Sequence, residues 1–137
     1  MKLGREEILL MNALSNIAGV NARDCLIGNK MVSFVVKEDE MGSAIGKNGA
    51  TVNKLKKMLN RNIELIPYNK DPKKFLKESF GNITFSEIGL KESNGKKFLF
   101  ASMDSENRRK MMQNFGKMKR VKEIAKRNYE IEDIRVK

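Results

Sequence analysis

The apolar positions in the first half of the chain predict three helices and three short strands. Residues 6–18 carry apolar side chains every three or four positions, which is typical of an amphipathic helix. Two strand-like runs, 23–27 and 31–36, flank Gly28 and Asn29, a pair of residues that suits a hairpin turn. The pattern then predicts a short helix over 38–45, a helix over 50–59 and a strand over 62–67.

The second half repeats this order with little sequence identity. Asp71 and Pro72 suit the cap and first turn of a helix, and Asn94 and Gly95 suit a tight turn because both accept a positive φ. The other elements that we predict are strands over 83–90, 96–101 and 130–136, helices over 104–112 and 117–127, and a break at 114–116. Equivalent landmarks of the two halves lie 65 to 69 residues apart. We therefore predict a mixed α/β fold of the α+β kind, with domains over 1–68 and 69–137.

The chain is strongly basic, with 28 Lys and Arg against 17 Asp and Glu and a net charge of +11. An excess of this size favours a polyanionic partner, most often a nucleic acid. Hydrophobic residues make up 40% of the 137 positions, which is enough for a packed core. The seven phenylalanines stand mostly at helix and strand positions that suit this core.

Several classes of protein are disfavoured by what the sequence lacks. It has no histidine and a single cysteine, Cys25, which excludes zinc fingers, catalytic histidine triads and intrachain disulfides. No apolar run approaches the roughly 20 residues that span a bilayer. We therefore predict a cytoplasmic protein with no membrane attachment. We also predict that it is not an enzyme and has no catalytic residues, metal, cofactor or small-molecule substrate.

The sharpest local signal is a pair of glycines, Gly46 and Gly49, between two predicted helices. Glycines let the main chain turn tightly and let a nucleic-acid strand approach it, since no Cβ intervenes. The N-terminus of the following helix offers free N–H groups and a positive dipole end to phosphate. Lys47 and Asn48 add a charge and hydrogen-bond donors inside the loop, and the basic character continues on that helix with Lys54 and Lys56.

Ile45-Gly46-Lys47-Asn48-Gly49, followed by Val52, stands in a chain whose order of elements resembles the type II KH fold. That fold has the order αββααβ, with a three-stranded sheet packed against helices, and its Gly-x-x-Gly loop clamps about four nucleotides. The resemblance implies that Ile45 and Val52 line an apolar groove for bases, with Ile63 and Leu65 nearby in the closing strand.

Two such modules in tandem resemble the archaeal form of the NusA family. The resemblance covers nearly the whole chain, which lacks the polymerase-binding and S1 domains of bacterial relatives. It implies single-stranded RNA as a partner and RNA polymerase as a further one, in transcription elongation, termination or antitermination.

The second module departs from this pattern. Aligning Val121 with Val52 places Phe115 and Met118 where the two glycines stand in the first module. Residues 1–68 carry 10 basic and 7 acidic residues, whereas residues 69–137 carry 18 and 10. Our hypothesis is that the first module clamps RNA and the second supplies a basic track along the phosphates. The residues assigned to this track are Lys117, Lys119, Arg120 and Lys122.

Other interpretations stay open at this stage. A KH protein of ribosome assembly or RNA processing would use the same residues. A protein-interaction adaptor that has lost nucleic acid is consistent with the degenerate second loop. Phe115 could stack on a base or anchor its loop, and a small enzyme has the least support because no catalytic constellation is present.

Overall fold

The protein is described by a computed structural model covering residues 3–137. The described residues fall into two compact units, 3–69 and 70–137. Each unit contains its own three-stranded sheet together with helices, so the fold is mixed α/β. The side chain of Asn69 donates to Glu38 Oε2 at 2.9 Å, which ties the last residue of the first unit to that unit.

In the first unit, helices cover one side of a mixed sheet. The elements are α1 (Arg5–Ala18), β1 (Asp24–Ile27), β2 (Met31–Lys37), α2 (Met41–Ile45), α3 (Ala50–Leu59) and β3 (Asn62–Tyr68). The sheet has the order β1-β2-β3, with β1 antiparallel and β3 parallel to the central strand. Short 3-10 turns occupy Glu38–Glu40 and Lys47–Gly49. Side chains from all three helices and from β1 and β2 form one core cluster that includes Leu14, Cys25, Phe34, Ala44 and Leu55.

The second unit has the same order of helices and strands. Its elements are α4 (Pro72–Ser79), β4 (Glu87–Ser93), β5 (Lys96–Ser102), α5 (Ser105–Gln113), α6 (Phe115–Tyr129) and β6 (Ile131–Val136). The sheet has the order β4-β5-β6, again with one antiparallel and one parallel pair. Phe75, Leu99, Val121 and Ile124 are fully buried in this unit.

The predicted caps and turns are confirmed in the second unit. Asp71 accepts the N–H of Lys73 at 3.0 Å, with Pro72 at the first position of α4. Asn94 and Gly95 adopt φ of 53° and 76° in the turn between β4 and β5. Asp104 caps α5 and accepts the Asn107 N–H at 2.8 Å, and this hydrogen bond holds the pKa of the Asp104 carboxyl below its ordinary value of 3.8.

Two predicted boundaries are wrong. Strand β4 begins at Glu87 and not at residue 83, because Ile83 N–H donates to Phe80 O and Thr84 N–H donates to Asn107 Oδ1 instead of to a neighbouring strand. The break predicted over 114–116 is limited to Asn114, and α6 begins at the next residue.

The prediction that most phenylalanines belong to the core is also wrong. Three of the seven, in β2, in α4 and at the end of α4, are buried; Phe115 is 64% exposed, and the others are half-buried. Two of the half-buried ones, Phe98 and Phe100, lie on β5, where Leu99 and Ala101 take the inward positions.

Candidate nucleic-acid interface

The glycine pair forms a tight connection between α2 and α3. Gly46 has φ 78° and ψ 166°, and Gly49 has φ 75° and ψ 16°. Asn48 between them has φ 54°, which asparagine tolerates better than other residues with a side chain. Two backbone hydrogen bonds close the connection, from Gly46 N–H to Gly42 O at 2.9 Å and from Gly49 N–H to Gly46 O at 3.1 Å.

Gly46 is required by sterics as well as by its φ. A Cβ at this position would lie 2.7 Å from the backbone nitrogen of Thr51 and 2.4 Å from its Oγ1. Real Cβ atoms are essentially never found this close to other atoms. A Cβ at Gly49 would meet only Asn53 Nδ2, at 3.8 Å. Thr51 is a residue of the loop region that the sequence analysis missed. Its importance is visible only in the structure, where it packs against Gly46.

The loop presents polar groups to solvent at the start of a ten-residue helix. Lys47 and Asn48 are exposed, and the N-cap Gly49 has no side chain to satisfy the first N–H groups of α3. The N–H of Ala50 donates to Lys47 O, whereas the next N–H groups of the first turn have no partner within α3, and the helix dipole is positive there. The loop is therefore an open site that suits an anion.

The two lysines assigned to α3 lie on different sides of the helix. Lys54 and Lys56 are both exposed and flank the buried Leu55. Lys56 follows Val52 by four residues and so shares its side of the helix. Lys56 also lines a recess of about 280 Å³ together with Asn60 and Arg61. Lys56 is thus the one of the two that lies on the same side as a predicted groove residue.

The apolar residues predicted for the groove are accessible to different degrees. Ile45 is 40% exposed at the end of α2, and Val52 is half-buried on α3. Ile63 and Leu65 are half-buried and pack against the core cluster from β3, an edge strand of the sheet. Ile45 is the more accessible of the two predicted floor residues.

The second unit replaces the loop by a break of one residue. Asn114 has φ −101° and ψ 58°, and it connects α5 to α6 through Asn114 N–H to Met111 O and Met118 N–H to Asn114 O. No glycine turn opens the main chain here. Phe115 stands at the start of α6, and Lys119 Nζ lies 5.6 Å from the centre of its exposed ring. This exposure argues against an anchoring role for Phe115.

The four basic residues assigned to the second unit are spread around α6. With about 100° per residue, Lys117 lies in line with the buried stripe at the first turn, Arg120 and Lys122 lie at its two edges, and Lys119 is on the exposed side. Lys117 Nζ lies 5.5 Å from the Phe80 ring centre, and Lys122 Nζ pairs with Asp133 Oδ1 at 3.2 Å. They form a basic surface around the helix and not a single row.

Within residues 3–137, no helix has the length and apolarity needed to cross a lipid bilayer. In the same residues, no group of three or more Cys, Asp or Glu side chains is arranged to hold a metal ion.

Comparison with known proteins identifies a domain family for the part of the chain that contains the glycine loop. Residues 9–88 match the family described as KH domain. The match includes the first unit from α1 onward, with the glycine loop, and ends in β4 of the second unit.

Similar proteins come from archaea. The probable transcription termination protein NusA of Methanocaldococcus jannaschii is 30% identical over an alignment of 137 positions, which covers 99% of this chain and 75% of that protein. The protein of the same name from Methanococcus vannielii is 29% identical over 99% of this chain and 79% of its own length. The crystal structure of APE1850 superposes with a TM-score of 0.87 at 25% identity, over 98% of this chain and all of that one. The chain belongs to the family of archaeal NusA-like KH-domain proteins.

Proposed function

We propose that this protein binds single-stranded RNA through the glycine loop and acts as a transcription factor of the NusA type. The observation that carries the proposal is the loop itself. Gly46 adopts a backbone conformation that only glycine accepts, next to the uncapped start of α3, and Lys47 and Asn48 face solvent between the two glycines. A loop of this kind clamps about four nucleotides in KH modules.

We further infer that the two units are tandem type II KH modules, whose boundary after Asn69 lies one residue from the division between 68 and 69 predicted from the sequence. The support for the first is the match over 9–88, and the support for the second is its identical order of helices and strands. The shared pairing, with the central strand antiparallel to the first strand and parallel to the third, also supports this assignment.

The loop would bind the RNA backbone and leave the bases to the apolar groove. Phosphates approach the N–H groups of α3 and Lys47, where no side chain of Gly46 or Gly49 blocks them. Bases then lie along Ile45 and Val52, with Lys54 and Lys56 on either side of α3. Phosphate contacts carry no sequence information, so a preference among sequences would come from the base contacts in the groove.

The second module contributes charge without a clamp. Lys117, Lys119, Arg120 and Lys122 offer cations around α6, and the ammonium of Lys122 lies 3.2 Å from Asp133 Oδ1. The names of the archaeal relatives support a role in transcription termination. We infer RNA polymerase as a further partner and the cytoplasm as the location from such a role. The protein would act there as a binding protein and not as an enzyme.

The first experiment measures binding of single-stranded RNA by fluorescence anisotropy at several salt concentrations. The double variant Lys47→Asp/Asn48→Asp introduces two carboxylates while both glycines remain. A matched control exists in the second unit, because Lys73→Asp/Asn82→Asp makes the same charge change at two exposed residues that belong neither to the glycine loop nor to the basic residues assigned to α6. The two variants therefore differ only in the place of the new charges.

For the wild type we expect log K to fall with log salt concentration by about 0.7 per phosphate neutralised. The loop variant should lose at least about tenfold in affinity, and the control should lose much less. Equal losses for the two variants would show that only net charge matters and would contradict the clamp. Co-purification with RNA polymerase, as opposed to ribosomal precursors, tests the role in transcription.

A further inference from the structure

Strand β5 directs two phenylalanines away from the core of the second unit. Leu99 and Ala101 are fully buried, whereas the alternate residues Phe98 and Phe100 are half-buried. Successive side chains of a strand point to opposite faces, so both rings lie on the same outer face of the sheet. Because β5 is the central strand, the rings occupy the middle of that face.

Cations from both neighbouring strands lie over these rings. Arg135 on β6 has its guanidinium carbon 4.3 Å from the Phe98 ring centre. Lys91 on β4 and Lys137 after β6 place their ammonium groups 5.1 and 4.9 Å from the Phe100 ring centre. All three cationic residues are exposed. We call this surface, formed by Lys91, Phe98, Phe100, Arg135 and Lys137, the aromatic face.

The aromatic face is open beside Phe100. Gly89 is the partner of Phe100 across the β4–β5 ladder, and a Cβ built on Gly89 would meet nothing within 4 Å. A recess of about 470 Å³ on this surface is lined by both rings together with Lys91 and Arg135. The space is large enough for a planar group to lie against the ring.

The nearest acids on β6 already have basic partners. Asp133 pairs with Phe98 across the β5–β6 ladder, and its carboxylate is held by Lys122 Nζ at 3.2 Å. Glu132 faces Lys96 Nζ at 4.0 Å. Glu92 on β4 also lines the recess, but the three cations Lys91, Lys96 and Arg135 outnumber it there, so the net charge of the lining is positive.

We propose that the aromatic face is a second binding site for single-stranded RNA, in which bases stack on Phe98 and Phe100 and Lys91, Arg135 and Lys137 contact phosphates. Aromatic side chains on the open face of a sheet stack two or three bases in other RNA-binding modules, and two rings at alternate strand positions offer such a platform. Cations that flank the rings track the backbone, as in proteins that bind single strands without sequence preference.

The cations that now lie over the rings do not prevent stacking. An exposed cation over a ring contributes less than a stacked base, so a base can displace the cation. The displaced lysine or arginine is flexible and solvent-exposed, and it gains a phosphate as its new partner. A cationic surface with accessible rings thus fits a polyanion with planar bases better than an acidic peptide, which offers charge alone.

The site is independent of the glycine loop and belongs to the second unit alone. The equivalent positions of β2 are Ser33 and Val35, which carry no ring and are fully buried. A module that lacks the glycine pair would therefore contact RNA through its sheet.

The test measures binding of a roughly ten-nucleotide oligouridine, within the usual range of site sizes for single strands. The variants are Phe98→Ala/Phe100→Ala, which removes both rings, and Gly89→Val, which fills the open space beside Phe100 and favours a strand. Leu90→Ala is the control, because it shortens an exposed apolar side chain of β4 whose ladder partner is the buried Leu99. Each change is made in the wild type and in the loop variant Lys47→Asp/Asn48→Asp.

We expect each ring that is removed or blocked to weaken binding by about tenfold, while Leu90→Ala has little effect. Amide NMR shifts on adding oligouridine should include β5 and β6 in the loop variant, where the glycine loop no longer contributes. The proposal is overturned if the ring and Gly89 variants bind like Leu90→Ala, or if they affect only binding of a protein partner. If the glycine loop does not bind RNA, the loop variant Lys47→Asp/Asn48→Asp will bind RNA like the wild type. This outcome is distinct from a failure of the aromatic face, which is measured with the ring and Gly89 variants.

Discussion

Replacing Gly46 by alanine tests whether the loop geometry is as restrictive as described. A Cβ at Gly46 would lie 2.7 Å from the backbone nitrogen of Thr51. Thr51 is the second residue of α3, so its backbone cannot move away unless the start of the helix moves as well. The backbone conformation of Gly46, with φ 78° and ψ 166°, is nearly restricted to glycine and costs other residues about 1–3 kcal/mol. Overpacking typically costs about 1–3 kcal/mol more. The expected loss of unfolding free energy is therefore about 2–6 kcal/mol.

Two other glycines provide matched controls for the same substitution. Gly49→Ala meets no close atom, and the left-handed conformation costs about 1–2 kcal/mol. Gly42 lies inside α2 with nothing near its Cβ position, so Gly42→Ala should stabilise the helix by roughly 0.5–1 kcal/mol. From the most to the least stable, the expected order is Gly42→Ala, wild type, Gly49→Ala and Gly46→Ala.

Urea unfolding followed by circular dichroism gives the stability, and anisotropy with single-stranded RNA gives the affinity. Gly46→Ala should lower both, because relief of the contact with Thr51 requires the loop to change shape. The reasoning would be refuted if Gly46→Ala and Gly49→Ala had the same stability and the same affinity for RNA. In that case the close contact at Gly46 would have no energetic consequence.

Two further predictions concern the second unit. The triple variant Lys117→Glu/Lys119→Glu/Arg120→Glu should weaken RNA binding and lower the salt slope by about 2, since three cations contribute about 0.7 each; unchanged binding in anisotropy would exclude the basic surface of α6 as a site. The Asp104 carboxyl has a folded-state pKa below 3.8, so the stability that it contributes is present above that pH and is lost as the pH falls through the lower, folded-state value. Asp104→Asn keeps a capping side chain that does not titrate, and its urea midpoint should fall less than that of the wild type between about pH 6 and about pH 3. Parallel curves would contradict this assignment.

The order of elements could be predicted because local signals marked most boundaries. The glycine pair, Asp71 before Pro72, and Asn94 before Gly95 each fix a turn or cap through their own backbone preferences. By contrast, α6 ends at Tyr129, and its C-cap Glu130 has φ 57°, a conformation that glutamate rarely adopts. No signal in the sequence marks that residue.

Segment 83–86 shows where local pattern fails. Its residues alternate as a strand would, yet a side-chain acceptor from α5, Asn107 Oδ1, takes the N–H of Thr84. The hydrogen bond between Thr84 and Asn107, which are distant in sequence, decides the structure here. Hydrophobic periodicity cannot predict such a contact. The conformation of the glycine loop in the first unit was easier to predict, because all of its residues are contiguous.

The aromatic face could not be predicted from the sequence of β5. Phe98 and Phe100 are on one face of the strand and Leu99 and Ala101 are on the other, so both faces carry apolar residues. Hydrophobic periodicity cannot decide which side faces the helices when both qualify. The sequence therefore assigned these phenylalanines to the core, and only the packing of the sheet separates the two sets.

The pairing of the strands has a consequence for folding during synthesis. Every ladder partner of the first sheet lies between Asp24 and Tyr68, and every partner of the second lies between Glu87 and Val136. The hairpin of each sheet joins neighbours in sequence, whereas its parallel pair, such as Val32 with Ile63, must wait for two helices to be made. We expect formation of the parallel pair to be the slow step in folding of each sheet, because the loop that it closes contains two helices. In both sheets this loop lies within one half of the chain. The emerging polypeptide can thus complete its first sheet before the strands of the second exist.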